Sequence, residues 1–120
     1  HDSRRASCSV HLPTDEFCFR SVAACARLEI ITGPYDDWLI CMISRQLHKK
    51  VPGMDETLDS SDADFVLSGL KYISVIRVTR LAVVSGSALH GSIGGVSHER
   101  LIRIRSRLAQ WLTETASEIQ

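Results

Sequence analysis

Arg77 and Thr79 stand two residues apart in SVIRVTRL (Ser74–Leu81), where Val75, Ile76 and Val78 are β-branched residues suited to a strand. With regular alternation, Lys71, Arg77 and Thr79 share one face of that strand and Arg80 takes the other; Arg77 and Thr79 are then about 7 Å apart. A guanidinium brings paired donors and a permanent charge, and a neighbouring hydroxyl adds another donor, so the pair suits a phosphate. The same residues also suit an arginine held by a carboxylate at the rim of a sheet, or a charge that guards an edge strand.

Ser44 and Arg45 make a second pairing of hydroxyl and cation, at the end of the apolar run WLICMIS (Trp38–Ser44). They are a plausible phosphate contact and equally ordinary loop chemistry. No Gly-x-Ser-x-Gly context marks a serine nucleophile. His11, His48, His90 and His98 can serve acid–base chemistry, but no two are spaced as a metal pair, and each reads first as a surface histidine. His48 neighbours Lys49 and Lys50, whose charge would lower its pKa at close range. Asp15 and Glu16, just before Arg20, read as a turn or an ion pair.

The elements that must carry these groups are mostly strands. Residues 1–9 lack a core pattern and are expected to fray. A weak strand at Val10–Leu12 is ended by Pro13, and TDEF follows as a turn. Ser21–Ile31 is apolar and alanine-rich, and periodicity leaves it open between helix and strand. Gly33-Pro34 makes a turn before the buried strand Trp38–Ser44. The stretch from Arg45 to Phe65 is basic, then acidic (Asp55, Glu56, Asp59, Asp62, Asp64), without the glycine and final glutamate of an EF-hand; it reads as a solvated loop. Ser68-Gly69 turns into a long strand from about Tyr72 to Val84. Ser85–Ser87 is a turn, ALHGSI a short strand, and Gly94-Gly95 a break. Ser97 then caps a helix with Glu99 in its first turn and an apolar stripe of Leu101, Ile104, Leu108, Trp111 and Leu112. Arg100, Arg103 and Arg107 run along one edge of that helix, where a solvated flank is the ordinary reading.

Composition narrows the classes. At 120 residues, 44% hydrophobic and 23% charged, the chain suits a single domain, here residues 10–120. Lysine plus arginine and aspartate plus glutamate number 14 each, so nucleic acid would have to be met by a local basic patch rather than net charge. No run approaches the roughly 20 apolar residues of a membrane span, no leader is evident, and the expected location is cytoplasmic with no membrane partner. The four cysteines form no Cys-x-x-Cys pair and fit idle thiols in a reducing compartment, with no metal site.

Two stretches, GPYDDWLICMISRQ and SGLKYISVIRVTRLAVVSGSALHGSIGGVSHERLIRIRSRLAQWL, resemble the PemK/MazF toxins of bacterial toxin–antitoxin pairs. The resemblance covers most of Gly33 to Leu112 and lies in the order of parts: a buried strand ending in a small hydroxyl residue, a variable loop, an SGL…SVIR strand, a hairpin and a closing amphipathic helix. It implies a mainly β, SH3-like barrel of the CcdB/PemK type with a C-terminal helix. It further implies a homodimer, a cognate antitoxin that threads along the RNA surface, and cleavage of single-stranded RNA without cofactor or metal. By position, Arg20, Ser44 and Arg77 match the family's catalytic set, with Arg45, His48, Lys71 and Thr79 as substrate-binding neighbours. The chain departs from the family at Ser21, where proline usually follows the arginine, at Thr79, where some members carry aspartate, and through the blurred segment 1–30.

The chemistry implied is attack of a 2′-hydroxyl on the adjacent phosphate, in which the charge of the phosphorane must be held and protons moved. Arginine keeps its proton, so Arg20 and Arg77 read as charge stabilisers and Ser44 as a hydrogen-bond donor. Two rivals use the same fold: a gyrase-inhibitor-like toxin that acts through the exposed helix end, Trp111 to Gln120, and an inactive remnant that still binds an antitoxin.

Overall fold

A computed structural model describes residues 8–13 and 22–119. Six strands, β1 (Cys8–Pro13), β2 (Val22–Ile30), β3 (Asp37–Ser44), β4 (Glu56–Leu58), β5 (Ser74–Ser85) and β6 (Leu89–Val96), form one sheet in the order β4-β5-β3-β2-β1-β6, every neighbour antiparallel. One turn of helix, α1 (Phe65–Ser68), precedes β5, and α2 (His98–Ile119) ends the described chain.

The sheet curls because its two edges share a core. Leu58 of β4 and Val96 of β6 join Ala24, Ala26, Cys41, Ile43, Ile76 and Val78 in one buried cluster, which Leu101, Ile104 and Leu108 of α2 close. The opposite face carries a smaller cluster of Cys25, Trp38, Ile40, Met42, Val84 and Ala88. β3 lies between β2 and β5 and serves both clusters by strict alternation: Leu39, Cys41 and Ile43 toward α2, and Trp38, Ile40 and Met42 away from it. This is why its sequence is continuously apolar. The fold is mainly β with a C-terminal helix, as expected for the SH3-like barrel, and its single sheet curls into a half-barrel.

Several boundaries differ from expectation. The stretch left open between helix and strand holds strand β2, Val22–Ile30, and β1 begins at Cys8. β5 starts at Ser74, leaving Tyr72 and Ile73 outside it and exposed. The Ser85–Ser87 turn is in part a 3-10 turn, Gly86–Ala88. β6 runs through Gly94-Gly95 rather than breaking there. A Cβ at Gly94 would collide with the carbonyl oxygen of Leu67, and one at Gly69, whose φ is +75°, with that of Ile93. These glycines let α1 and β6 pack backbone to backbone.

The acidic stretch is not solvated. Glu56 belongs to β4, and Asp55, Glu56 and Asp64 are all buried. Their partners are the arginines expected on an open helix flank. Arg100 is buried and donates from Nε and Nη2 to Asp64 (2.8 and 3.0 Å) and from Nη1 to Glu56 (2.8 Å). Arg103 grips Glu56 with two bonds of 2.7 and 2.8 Å, and Arg107 lies 3.1 Å from the same carboxylate. Burial acts to raise the Asp64 pKa, but the Arg100 hydrogen bonds, the Ser97 N–H and the Arg100 charge outweigh it and bring it down to about 2. Glu56 is lowered likewise, its burial overcome chiefly by Arg103. Ser97 caps α2 as expected, its Oγ accepting the Arg100 N–H at 3.1 Å, and Asp64 adds a bond from the Ser97 N–H at 3.0 Å. The apolar stripe of α2 ends sooner than its spacing suggests, since Trp111 and Leu112 are 44% and 56% exposed.

Candidate phosphate-binding site

The strand register decides which candidate groups meet. Ser44 is opposite Val75 on one side and Val22 on the other, and Met42 is opposite Arg77. Directly opposed residues of an antiparallel pair point to the same face. Ser44 and Arg77 therefore share the face of Met42, on a diagonal across adjacent strands. Arg20 lies outside the described residues, as do Asp15, Glu16 and Cys18. The chain that follows Arg20 joins the sheet at Val22, in the row of Ser44 and Val75.

Ser44 is buried at the end of β3. Its Oγ accepts the N–H of Gln46 at 3.0 Å, which fixes the oxygen while the hydroxyl proton remains for an incoming acceptor.

Arg77 is held by a carboxylate that the sequence did not single out. β4 pairs Glu56 with Ile76, so Asp55, the residue before it, comes alongside Arg77. Alternation then sends Glu56 to the arginines of α2 and Asp55 to the opposite side. The Asp55 side chain is fully buried, and its Oδ2 lies 3.6 Å from Arg77 Nε. Asp55 accepts the N–H groups of Val51 and Thr79, both at 3.0 Å, and the Thr79 hydroxyl at 3.1 Å. The Arg77 side chain is 16% exposed, and its buried Nε makes no hydrogen bond.

Thr79 comes near Arg77 for a reason other than regular alternation. Cys41 is opposite Leu81 while the next residue, Met42, is opposite Arg77, so Val78, Thr79 and Arg80 bulge out of the ladder. The bulge turns the Thr79 N–H and hydroxyl onto Asp55, so the hydroxyl is used within the protein. Arg80 is exposed.

The other candidates separate. Arg45 and Lys71 line one cleft beside Tyr72, with the Arg45 guanidinium 4.9 Å from the Tyr72 ring centre. His48 is exposed in the short 3-10 turn Leu47–Lys49, and His98 is exposed at the start of α2. His11 corrects the surface reading of the histidines. It is buried, and its Nε2 accepts from Arg27 Nε at 2.9 Å. Arg27 also stacks 4.1 Å from the Trp38 ring centre, on the face that holds Met42. Neither Arg27 nor Asp55 carried a sequence signal, because each is defined by a partner distant along the chain. Cys25 and Cys41 are buried, and burial pushes the Cys25 thiol up to about 11 against the lowering effect of Arg27.

No family model and no curated protein matches this sequence. Among solved structures, Mycobacterium tuberculosis toxin MazF-mt6 is similar, with a TM-score of 0.55 and 14% identity over 85% of this chain and 93% of that one. That likeness spans nearly the whole of the other chain, and at this identity it establishes a shared architecture: the chain has a MazF-type toxin fold.

Proposed function

We propose that this protein is the toxin of a toxin–antitoxin pair and an endoribonuclease that cuts single-stranded RNA without a metal. The observation that carries the reading is the strand register that sets Ser44 and Arg77 on one face, beside the point where the chain after Arg20 joins the sheet. The MazF-type fold supports it. Arg77 supplies the positive charge for the phosphorane. Asp55 fixes the guanidinium in place, and Thr79 acts through Asp55 as a positioning residue. Ser44 donates a hydrogen bond from its hydroxyl to a phosphate oxygen. Arg20 is the expected second cation. The 2′-hydroxyl of the substrate is the nucleophile, which is why RNA and not DNA is cut. Arg45, Lys71 and His48 bind the flanking strand. The partners of this reading are a cognate antitoxin and a second copy of the chain.

Cleavage of single-stranded RNA in the presence of EDTA tests the proposal. The wild-type protein is expected to cut, and Arg77→Ala and Ser44→Ala to slow cutting by about 100-fold or more each. Undiminished cutting by Arg77→Ala refutes it.

A protein-binding toxin is the second reading, favoured by the exposure of Trp111 and Leu112 near the end of α2. Growth arrest with trapped gyrase and no RNA cleavage, abolished by Trp111→Ala, would support it over the first.

A further inference from the structure

The segment that leads into β5 forms a cleft of its own. Leu70 and Ile93 pack against the core at its base, Arg45, Lys71 and Tyr72 line it further out, and it encloses about 430 Å³. This volume is within the usual range of small-molecule sites. Two cations line the cleft and, among the described residues, no carboxylate does. The clefts beside α2 differ, since there arginines mix with Glu56, Asp62 and Asp64. The described lining of this cleft thus carries a net positive charge, which suits an anion.

Tyr72 is 60% exposed although Arg45 lies over its ring. The segment that carries it is tied at Tyr72 itself and two residues before it. The buried Ser74 donates its hydroxyl to the Tyr72 carbonyl at 2.9 Å, and the Leu70 N–H donates to the Ser68 Oγ at 3.1 Å. The ring is thus presented on a fixed segment, and little ordering cost remains for a ligand to meet. The cleft also adjoins the phosphate-binding groups: Arg45 follows Ser44, and Ser44 is opposite Val75, the neighbour of Ser74.

We propose that Tyr72, with Arg45 and Lys71, is a nucleobase-stacking subsite for a single-stranded polynucleotide. A base stacks on the Tyr72 ring, and the phosphates on either side of it meet Arg45 and Lys71. The proposal rests on the RNA reading above for the identity of the strand. An exposed ring flanked by two cations fits a polyanion of planar bases better than a peptide, because stacking and phosphate attraction act together.

The test is binding of a fluorescent oligouridylate with 2′-O-methyl sugars, which cannot be cut by 2′-hydroxyl attack. Tyr72→Ala is expected to weaken binding by about 5- to 150-fold, and Tyr72→Phe and Tyr72→Trp to keep most of it. On an oligomer whose bases are replaced by abasic sites, wild type and Tyr72→Ala should bind alike. The proposal is overturned if the wild type does not bind, if Tyr72→Ala binds as tightly as wild type whatever other partner it loses, if Tyr72→Phe is as weak as Tyr72→Ala, or if the abasic oligomer shows the same loss. Tyr72-dependent binding by a protein that never cuts RNA would end the nuclease reading and leave the subsite. RNA cleavage with Tyr72-independent binding would do the reverse.

Discussion

Asp64→Asn removes the carboxylate that holds Arg100 by two hydrogen bonds and accepts the Ser97 N–H at the start of α2. The folded-state pKa of Asp64 is lowered from 3.8 to about 2. That fall corresponds to about 2 kcal/mol of stability at neutral pH. The sign follows from its direction. The contribution is whole above the unfolded value of 3.8 and is lost as pH falls through the folded value of about 2. Roughly half of it is gone by about pH 3. Glu56, also lowered, adds acid sensitivity of the same sign in both proteins. Arg100 keeps Glu56 and Asp62 as partners, so the variant should fold. Urea denaturation of wild type and Asp64→Asn at neutral pH, about pH 4 and about pH 3 separates the effect: a gap of about 2 kcal/mol should hold at the first two and shrink to about half at the third. A gap that stays constant across this range, or no gap at neutral pH, would show that the carboxylate charge does not clamp the helix.

Two further perturbations test how the site is supported. Asp55→Asn leaves the Arg77 guanidinium without its buried counter-charge and should cost about 3–5 kcal/mol in denaturant unfolding. In a double-mutant cycle with Arg77→Met the two changes should couple by about 1 kcal/mol or more, and strict additivity would mean that Asp55 does not hold Arg77. Gly94→Ala forces a Cβ into the Leu67 carbonyl and should cost about 1–3 kcal/mol, read as a lower urea midpoint, whereas Gly91→Ala, with open space at its Cβ, should avoid that clash.

Much of the fold was legible where local pattern and burial agree. The run Trp38–Ile43 is apolar at every position because β3 faces a core on both sides, and the Ser97 cap with Leu101, Ile104 and Leu108 marked α2. Where the pattern misled, a distant partner had overridden it. Aspartates and glutamates in a row look solvated, yet Glu56 and Asp64 are buried because Arg100, 44 and 36 residues further along, neutralises them. The faces of β5 failed after Arg77 because alternation holds only until a bulge, and the bulge is set by pairing with β3. Ala24, Cys25 and Ala26 in β2 are too small to show a period, so only their cross-strand partners identify the strand. At the site, Ser44 and Arg77 stood out as strand residues, though the face they share is set by the β3–β5 register. Asp55 did not, because nothing local distinguishes a carboxylate that anchors an arginine from one that faces water.

The central claim is that Ser44 and Arg77 act together on a phosphate whose neighbouring 2′-hydroxyl is the nucleophile. The most direct measurement is end-group analysis of a single-stranded RNA incubated with the protein in EDTA, alongside its 2′-O-methyl counterpart. Cleavage of the RNA alone is expected, with 2′,3′-cyclic phosphate and 5′-hydroxyl ends, and its loss in Arg77→Ala protein that still unfolds cooperatively. Cleavage of both strands, or of neither, would contradict the claim.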